Sequence, residues 1–461
     1  MMPVLELESN TQTKIDAARQ VNGISWETRL LPYRNIRHVL SLHAKTAGKT
    51  PYLIHLDADG KREQLSYGEF NARAHQVANL LHDDLGVRRG DRVATLAYNH
   101  SDTVLIYVAC WIIGACVVPL NVTEDDRRLA FILRNSDAKI CLVRHEYLAR
   151  ADTIVSGAEA DDLGAPNIQA LVQVGGDPDG VHIHFHTLVK NLPTTYLGDG
   201  APTKSSDDEI KINEYTSTLD DAALLVYTSG TTGVPKGVML TQYNLLVDAL
   251  AIAQGQGITG NQRLMCVLPI HHVNGIVVTL ITPLLTGASV VLCRAFSASN
   301  FWRTVITEHV NIVSVVPTLL QFLMEHAHKQ QAAGESIFGE GVHRRGLTHF
   351  RHFVCGAGTL AVALARDFED LFGLPILHGY GLSETTCYSC FLPIDLPWDD
   401  HQQWLQTHGY PSIGIPVSTN EMAIFDSAGD GIQLGEGKRG EICVRGHNVM
   451  LGYYQRPDAN A

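Results

Sequence analysis

The residues best suited to chemistry in this sequence lie in one short loop that combines hydroxyls, glycines and a lysine. The loop holds Thr228, Ser229, Gly230, Thr231, Thr232, Gly233 and Lys236. Glycine lets a backbone approach a ligand closely, hydroxyl side chains donate hydrogen bonds, and lysine adds positive charge. Together these properties suit a polyphosphate, whose oxygens need many donors and neutralising charge. A polar surface turn, the alternative, does not require so many hydroxyls around one glycine.

Two other nucleotide-binding motifs do not fit this sequence. A Walker A loop places glycine immediately before its lysine, whereas Pro235 precedes Lys236 here. Residues 255–260 match the spacing of a dinucleotide-binding loop, but they follow a run with helical periodicity rather than a strand. We therefore interpret residues 255–260 as the end of a helix and a turn.

Three further segments combine small residues with residues that can bind a ligand. They are residues 268–275, residues 355–360 and residues 379–385. Small residues around Tyr380 leave room for a flat base to stack on the ring, and Ser383 can donate a hydrogen bond to a phosphate. Glu384 offers a hard oxygen of the kind that Mg²⁺ binds. His272 alone is more often a packed core histidine than a ligand, and the orientation of its neighbour His271 stays open.

Taken together, these motifs resemble those of the adenylate-forming enzymes, in the same order along the chain. The loop at residues 227–237 looks like the signature loop of that superfamily, and residues 65–70, 114–121 and 440–446 are similar to its structural motifs. Within the superfamily, the resemblance is to the large N-terminal domain of acyl-CoA synthetases, the AMP-forming ligases that join a carboxylic acid to CoA. It extends over residues 30–461.

The resemblance implies a role for each matching residue. It implies catalytic roles for Lys236, His272 and Glu384, with Glu384 as the ligand of Mg²⁺. It implies an ATP site formed by Thr228, Ser229, Gly230, Thr231, Thr232, Gly233, Lys236, Gly356, Ala357, Gly358, Gly379, Tyr380, Gly381 and Ser383. It implies a pocket for the acid formed by His272, Val273, Asn274, Gly275, Gly381 and Leu382.

The reaction that the resemblance implies has two steps. The carboxylate and ATP form acyl-AMP and release pyrophosphate, and the thiol of CoA then takes the acyl group. A carboxylate is already a nucleophile at neutral pH, so the site must mainly position the reactants and neutralise charge. Adenylation of an amino acid or aryl acid for a carrier protein is an alternative, although residues 273–275 lack the Asp typical of amino-acid-activating domains. A non-catalytic nucleotide-binding module is another, and the identity of the acid stays open.

The elements that must position these residues alternate between helical and strand patterns, which predicts an α/β fold. Helical periodicity covers residues 36–47, and a second helix begins after Ser66, with Glu69 completing a capping box. Apolar strands are expected at residues 93–97 and 116–120, among others. The resemblance implies two helix-covered β-sheet subdomains plus a smaller β-rich subdomain.

The resemblance also suggests domain limits. We expect an N-terminal extension at residues 1–29 and an AMP-binding large domain beyond it, with subdomains at roughly 30–220, 221–400 and 401–461. Relatives continue into a small mobile C-terminal domain that carries the adenylation lysine, and this chain is expected to lack it and to adenylate poorly. The stretch at residues 161–221 is rich in Gly, Asp, Pro, Ser and Thr, which predicts a surface excursion.

Composition narrows the classes of function. The chain has 461 residues and a formal net charge of −13, and a nucleic-acid binder usually presents a basic face instead. Residues 104–120 and 275–293 are uncharged, but Gly and Pro interrupt both. Each therefore predicts a buried helix, a turn and a buried strand rather than a membrane span. With scattered cysteines and no apolar leader, a cytoplasmic enzyme is expected, of open oligomeric state.

Two other groups of potential ligands are weaker candidates. His182, His184 and His186 alternate along a run that predicts a strand, so they would share one face. Zinc is disfavoured there, because no carboxylate or cysteine accompanies them at ligand spacing. Cys387 and Cys390 have C-x-x-C spacing, but without a second such pair we interpret them as packed thiols.

Overall fold

Helices and short strands alternate along the chain. The computed structural model describes residues 8–157, 164–195, 217–228, 234–428 and 431–460. The strands are β1 Gln20–Val21, β2 Ile24–Ser25, β3 Pro51–Leu56, β4 Arg62–Ser66, β5 Arg92–Leu96, β6 Cys116–Leu120, β7 Ala138–Arg144, β8 Ala170–Val174, β9 Ile183–His184, β10 Ala222–Thr228, β11 Lys236–Thr241, β12 Arg263–Cys266, β13 Ser289–Cys293, β14 Ile312–Val315, β15 His352–Cys355, β16 Ile376–Tyr380, β17 Cys390–Phe391, β18 Ile415–Pro416, β19 Asn420–Phe425, β20 Glu441–Gly446 and β21 Gly452–Tyr454.

The α-helices lie between these strands. They are α1 Ser9–Ala18, α2 Ile36–Thr46, α3 Tyr67–Asn79, α4 Ser101–Ile113, α5 Asp126–Asn135, α6 Leu148–Ser156, α7 Phe185–Val189, α8 Gln242–Gln256, α9 Thr282–Thr286, α10 Ala298–Thr307, α11 Pro317–Ala332, α12 Val362–Phe372, α13 Trp398–Gln406 and α14 Pro457–Asn460. Two π-helical segments span Leu80–Asp84 and Asn274–Ile281, and 3-10 turns span His145–Tyr147, Arg344–Leu347 and Ser383–Thr385.

Two large sheets organise the chain. The first has eight strands in the order β21-β11-β10-β6-β5-β7-β8-β9, and the second has nine in the order β18-β17-β16-β15-β14-β12-β13-β3-β4. In the first sheet, the six neighbouring strands β10, β6, β5, β7, β8 and β9 run parallel. At one edge, β11 pairs antiparallel with both β10 and β21. In the second, the strands from β3 to β16 run parallel, with antiparallel pairs at both edges.

Helices cover these sheets in layers and bury three apolar cores. One core joins strands of both sheets with α3, α4, α8 and the π-helical segment at Asn274–Ile281. Every residue of α4 is buried, as expected for a helix with protein on all sides. A second core lies between α10, α11, α12 and the second sheet, and a third lies between α5, α6 and the first sheet. The layers therefore follow the order helix, sheet, helix, sheet, helix.

This layering confirms the predicted α/β class with helix-covered sheets. β19 and β20 form the expected antiparallel pair near the end of the described chain. The two large sheets are not contiguous in sequence, because β3 and β4 belong to the second sheet while β10, β11 and β21 belong to the first. The predicted subdomain limit at residue 220 does not coincide with the division between the sheets, and the limits stay a prediction.

The two uncharged runs each fold into a buried helix, a turn and a buried strand, as predicted. Residues 104–120 supply most of α4 and all of β6, and residues 275–293 supply a π-helical segment, α9 and β13. Gly114 and Gly287 end the helices with φ of 78° and 80°, a left-handed conformation that glycine adopts at little cost. Within the described ranges, no helix is both long and apolar enough to cross a bilayer.

The polar stretch at residues 161–221 contains more structure than a surface excursion. Its described part includes β8 and β9 of the first sheet, and Val172 and Val174 are buried, so the prediction was wrong for these strands. The predicted strand through the three histidines was also wrong. β9 ends at His184, and His186 lies in α7, because Phe185 turns inward and starts the helix.

Carboxylates accompany two of these histidines, contrary to the prediction that none lies at ligand spacing. The two ring nitrogens of His182 lie 2.6 Å from Asp179 and 3.0 Å from Asp152. His186 Nε2 lies 3.1 Å from Asp102. These acids come from separate elements, which spacing along the sequence does not reveal. In the part of the chain that the structure describes, no three His, Cys, Asp or Glu side chains are arranged to hold a metal ion.

Candidate active site

The lysine of the predicted phosphate loop lies at the tip of a β-hairpin. β10 ends at Thr228 and β11 begins at Lys236, and these two residues pair directly across the antiparallel strands. Ser229, Gly230, Thr231, Thr232 and Gly233 lie outside the described residues. The sequence did not predict β11, which separates the loop from the helix that starts at Gln242.

Lys236 and Glu384 meet at one tyrosine. Lys236 Nζ lies 4.9 Å from the centre of the Tyr453 ring, within the range of a cation–π interaction. The Tyr453 hydroxyl donates a 2.7 Å hydrogen bond to Glu384 Oε1, and burial together with that bond raises the pKa of Tyr453. The Glu384 carbonyl also accepts from the N–H of Met450 at 2.9 Å. The predicted phosphate and metal residues therefore share a support that the sequence did not single out.

A cavity of about 580 Å³ opens at the carboxyl ends of β15 and β16. It is lined by Ala357, Gly358, Thr359, Leu360, His378, Gly379, Tyr380, Gly381, Tyr410, Pro411 and Ile413. β15 and β16 are adjacent parallel strands, and ligands of such sheets bind beyond the carboxyl ends. Five residues of the predicted ATP site thus line one cavity, and Gly356 immediately precedes Ala357 in the chain.

One wall of this cavity was not predicted. Residues 410–413 follow α13 and match none of the motifs found in the sequence. The Ser412 carbonyl lies 2.8 Å from His378 Nδ1, which holds the segment against β16. Tyr410 is 59% exposed, so its ring is accessible at the mouth of the cavity. A tyrosine in a loop carries no signal by itself, because only the fold brings this loop to the strand ends.

Glycine is required at several of the predicted positions, because neighbouring atoms leave no room for a side chain. A methyl group at Gly381 would overlap the carbonyl oxygen of Cys387. A methyl group at Gly356 would lie 2.5 Å from the Tyr388 hydroxyl. At Gly358, in contrast, the nearest atom would be a proline side-chain carbon at 3.4 Å, which is ordinary contact.

Two residues in these loops hold a strained backbone. Ala357 and Thr386 have φ of 57° and 67°, in the left-handed region that favours glycine. The Thr386 hydroxyl donates to the Asn448 carbonyl at 2.6 Å, which helps to maintain that conformation. Such strain persists where the surroundings fix it, and it is typical of ligand-binding loops.

The predicted acid pocket begins with two adjacent histidines. The ring centres of His271 and His272 lie 4.4 Å apart. Burial lowers the pKa of His271 to about 3 and lowers the pKa of His272 as well, so both rings are neutral near pH 7. The His272 ring still reaches solvent, and it does not line the cavity described above. Val273 packs against the first core, and Leu382 is 43% exposed.

Asn274, the next residue of this motif, is the centre of a buried hydrogen-bond network. Asn274 Nδ2 donates to the Tyr388 hydroxyl at 3.2 Å, and the Ser314 hydroxyl donates to Asn274 Oδ1 at 2.6 Å. Ser314 also hydrogen-bonds with the Tyr388 side chain. We call these three residues the Asn274 network. Gly275 packs on its own turn, where a methyl group would lie 2.5 Å from the carbonyl oxygen of residue 269.

A buried carboxyl group lies next to this network. Asp248 of α8 is fully buried and accepts hydrogen bonds from the Tyr388 N–H at 3.2 Å and from Asn448 Nδ2 at 3.1 Å. Burial raises the pKa of Asp248 to about 8. Sequence analysis missed Asp248, because its partners lie far along the chain. Cys387 and Cys390 nearby are buried free thiols.

Comparison with known proteins places the chain in a family. The sequence model of the family described as AMP-binding enzyme matches residues 42–454. The chain is 31% identical over 408 residues to the oxalate–CoA ligase of Arabidopsis thaliana, covering 85% of this chain and 69% of that protein.

Two solved structures share the fold. A long-chain-fatty-acid–CoA ligase from Archaeoglobus fulgidus matches with a TM-score of 0.76 at 22% identity, over 94% of this chain and 79% of that one. An anthranilate–CoA ligase in complex with anthranoyl-AMP matches with a TM-score of 0.75 at 22% identity, over 92% of this chain and 72% of that one. The family match spans nearly the whole chain and includes the strand ends that form the cavity. The chain therefore belongs to the family of AMP-binding, adenylate-forming enzymes.

Proposed function

We propose that this chain activates a carboxylic acid with ATP, forming acyl-AMP and pyrophosphate, and that CoA then accepts the acyl group. The observation that carries the proposal is that Tyr453 joins Lys236 to Glu384, which lies in the turn just after the cavity residues Tyr380 and Gly381. Membership of the adenylate-forming family supports the reaction type. The relative from Arabidopsis thaliana, a CoA ligase by name, supports CoA over a carrier protein as acceptor.

Each part of ATP has a matching group of residues in this proposal. The adenine would lie in the cavity beyond β15 and β16, against the Tyr380 ring and the small residues around it. The β- and γ-phosphates would lie at the hairpin tip, beside Thr228 and Lys236. Ser383 would donate to the α-phosphate from the turn that also carries Glu384.

Glu384 is suited to hold Mg²⁺. Its carboxylate is partly exposed and is held from one side by Tyr453. Mg²⁺ usually keeps several waters and takes only one or two carboxylates together with substrate phosphates, so a lone, oriented carboxylate fits. When bound, Mg²⁺ would supply positive charge that offsets the phosphate oxygens. The protein's own contribution is to fix Glu384 and Lys236 so that both face the same polyphosphate.

The chemistry needs positioning more than proton transfer. A carboxylate oxygen attacks the α-phosphorus, the bond to the bridging oxygen breaks, and pyrophosphate leaves with that electron pair. In the second step the CoA sulfur attacks the acyl carbon, AMP leaves, and the thiol proton passes to solvent. Two anions must approach in the first step, so neutralising charge and alignment supply the rate enhancement. His272 is neutral, and in this proposal it donates a hydrogen bond to the reacting groups.

The experiment that tests this proposal compares the wild type with Lys236→Met. With ATP, Mg²⁺, CoA and a panel of carboxylic acids, we expect slow, acid-dependent pyrophosphate release by the wild type, in line with the poor adenylation that the resemblance implies. We expect Lys236→Met to lower it by about a hundredfold, because one group that stabilises transition-state charge is removed. Lys329→Met, an exposed lysine of α11, makes the same charge change as a control and should behave as the wild type.

A second readout does not depend on turnover. Acyl-sulfamoyl adenosines imitate acyl-AMP and are not hydrolysed, and calorimetry measures their binding directly. We expect the wild type to bind them more tightly than AMP, because they fill both the nucleotide and the acid sites. No binding of AMP or of any analogue, together with no acid-dependent pyrophosphate release, would refute the proposed function.

A further inference from the structure

The Asn274 network includes a residue of the predicted pocket for the acid. Asn274 belongs to the predicted pocket motif, and Tyr388 follows the proposed Mg²⁺ ligand Glu384 by four residues. The Tyr388 side chain is almost fully buried, and its ring centre lies 4.3 Å from that of Phe391. A buried, packed ring of this kind is a fixed part of the pocket wall.

Tyr388 reaches from the predicted acid pocket to the predicted nucleotide loop. Its Cα lies 2.7 Å from the position that a methyl group on Gly381 would take. Its hydroxyl lies 2.5 Å from the position of a methyl group on Gly356. The side chain therefore extends from beside Gly381 to beside Gly356.

The three side chains of the network hydrogen-bond to one another. Asn274 donates to the Tyr388 hydroxyl, Ser314 donates to Asn274, and Ser314 also bonds with Tyr388. All three side chains are buried, and each satisfies another. An alkyl chain that pushed between them would leave buried polar groups without partners, which is unfavourable.

Packed core lies behind the network. The π-helical segment Asn274–Ile281 is buried at every residue, and Ile276, Val277 and Val278 have no exposed surface. These side chains belong to the core that joins the two sheets. Protein cores are packed as densely as organic crystals, so this region offers no channel for a long chain.

We infer that the acid activated by this chain is short, and that long aliphatic and bulky aromatic acids are excluded. The inference rests on the proposed function and specifies its substrate class. Tyr388 occupies the volume that a longer acid needs, and the Asn274 network closes the end of the pocket. A second polar group on the acid is tolerated, because the end wall carries hydroxyl and amide groups rather than apolar ones.

Binding of acyl-sulfamoyl adenosines of increasing size tests the inference in the wild type. The series comprises acetyl, malonyl, decanoyl and cinnamoyl derivatives, with AMP as the reference ligand. We expect the acetyl and malonyl compounds to bind at least about tenfold more tightly than the decanoyl and cinnamoyl compounds, since a filled pocket rejects added bulk. Comparable binding of all four would overturn the inference.

Variants of Tyr388 separate its bulk from its hydroxyl. Tyr388→Val removes the ring, so we expect the preference for acetyl over cinnamoyl to fall by about tenfold or more. Tyr388→Phe keeps the ring and loses the hydroxyl, so it should still reject the cinnamoyl compound. Asn274→Ala shortens the end wall and serves as a second enlarging variant if Tyr388→Val does not fold. Melting temperature and AMP binding report the folding of each variant.

The outcomes distinguish this inference from the proposed function. If the wild type binds neither AMP nor any analogue, the proposed function fails. If it binds AMP and the decanoyl compound as well as the acetyl compound, the proposed function stands and the inference of a short acid fails. If the wild type prefers short compounds but both enlarging variants keep that preference, other residues set the length and the role of the Asn274 network is refuted.

Discussion

Tyr453 connects the two charged groups of the candidate site. Its ring faces the Lys236 ammonium, and its hydroxyl donates to Glu384. A hydrogen bond to a carboxylate fixes the direction of its free lone pairs, which matters when the carboxylate must meet a metal ion. In the proposed function, the same side chain orients both groups that would contact the polyphosphate.

We predict that Tyr453→Phe weakens the use of Mg²⁺ while leaving the ring beside Lys236. The lost hydrogen bond frees the Glu384 carboxylate to rotate, and the Mg²⁺ concentration that gives half-maximal nucleotide binding should rise by about tenfold. Calorimetric titration of ATP at varied Mg²⁺ measures this. Tyr454→Phe is the control, because the Tyr454 hydroxyl bonds instead to Asp137 at 2.9 Å. An equal effect of the two substitutions would contradict the prediction.

Among single residues, the sequence could predict those that belong to a motif, but not those that hold the motif residues in place. Lys236 and Glu384 stand in recognisable strings, and the structure brings both to Tyr453. Tyr453 is 69 residues from Glu384, and Asp248 is 140 residues from Tyr388, so neither contact has a local signature. The fold determines which side chains support the motif residues. Spacing along the sequence does not reveal these long-range contacts.

The conformation of the loops after β15 and β16 depends on glycine, and substitutions in these loops can test that dependence. The loops after these strands approach the backbone around Cys387 so closely that some positions cannot carry a side chain. Gly381 faces main-chain atoms there, which cannot rotate away as a side chain can. Gly358, one loop away, faces only a proline ring at ordinary distance.

We predict that Gly381→Ala and Gly358→Ala behave differently, although each adds one methyl group. Gly381→Ala should abolish AMP binding and lower stability by roughly 1–3 kcal/mol, because overpacking forces the backbone to move. Gly358→Ala should keep AMP affinity within about threefold, because its methyl group meets only an ordinary contact. Calorimetry and thermal melting measure both. A Gly358→Ala protein as impaired as Gly381→Ala would contradict this.

Elements with a strong local pattern were predictable, and elements defined by pairing were not. The capping box at Ser66 and Glu69 is present, with both reciprocal hydrogen bonds. The helix, turn and strand predicted for the uncharged run at residues 104–120 are also present. β8 was missed because a short apolar run lies among Gly and Asp, and β11 was missed because only its antiparallel partner defines it as a strand. Both strands are defined by pairing with a neighbouring strand, which propensity alone does not reveal.

At the scale of the whole molecule, α8 links the segments that form the site. Asp248 of this helix holds the Tyr388 backbone and the Asn448 side chain, and Asn244 Nδ2 donates to the carbonyls of His447 and Val449 at 3.0 Å each. One helix in the central layer thus fixes the segment after Glu384 and the segment before Tyr453. Loss of these bonds should loosen the site and the overall fold together.

Asp248 also predicts how stability depends on pH. Burial raises the pKa of Asp248 to about 8, whereas an unfolded aspartate has a pKa of about 4. Between these two values the unfolded chain has released the proton and the folded chain retains it, so the unfolded state binds fewer protons. Stability therefore falls as pH rises through this window and levels off above the folded pKa.

Replacing Asp248 with asparagine should remove this dependence, because the amide cannot ionise. Near pH 5 the folded wild type carries a neutral carboxyl group, so Asp248→Asn should have a similar melting temperature. Between about pH 5 and pH 8, the wild type should lose on the order of a few kcal/mol relative to the variant. Asp370→Asn, at an exposed position of α12, is the control and should track the wild type. A constant difference between wild type and Asp248→Asn across this range would mean that Asp248 is ionised throughout, held as a charged acceptor by the Tyr388 N–H and Asn448.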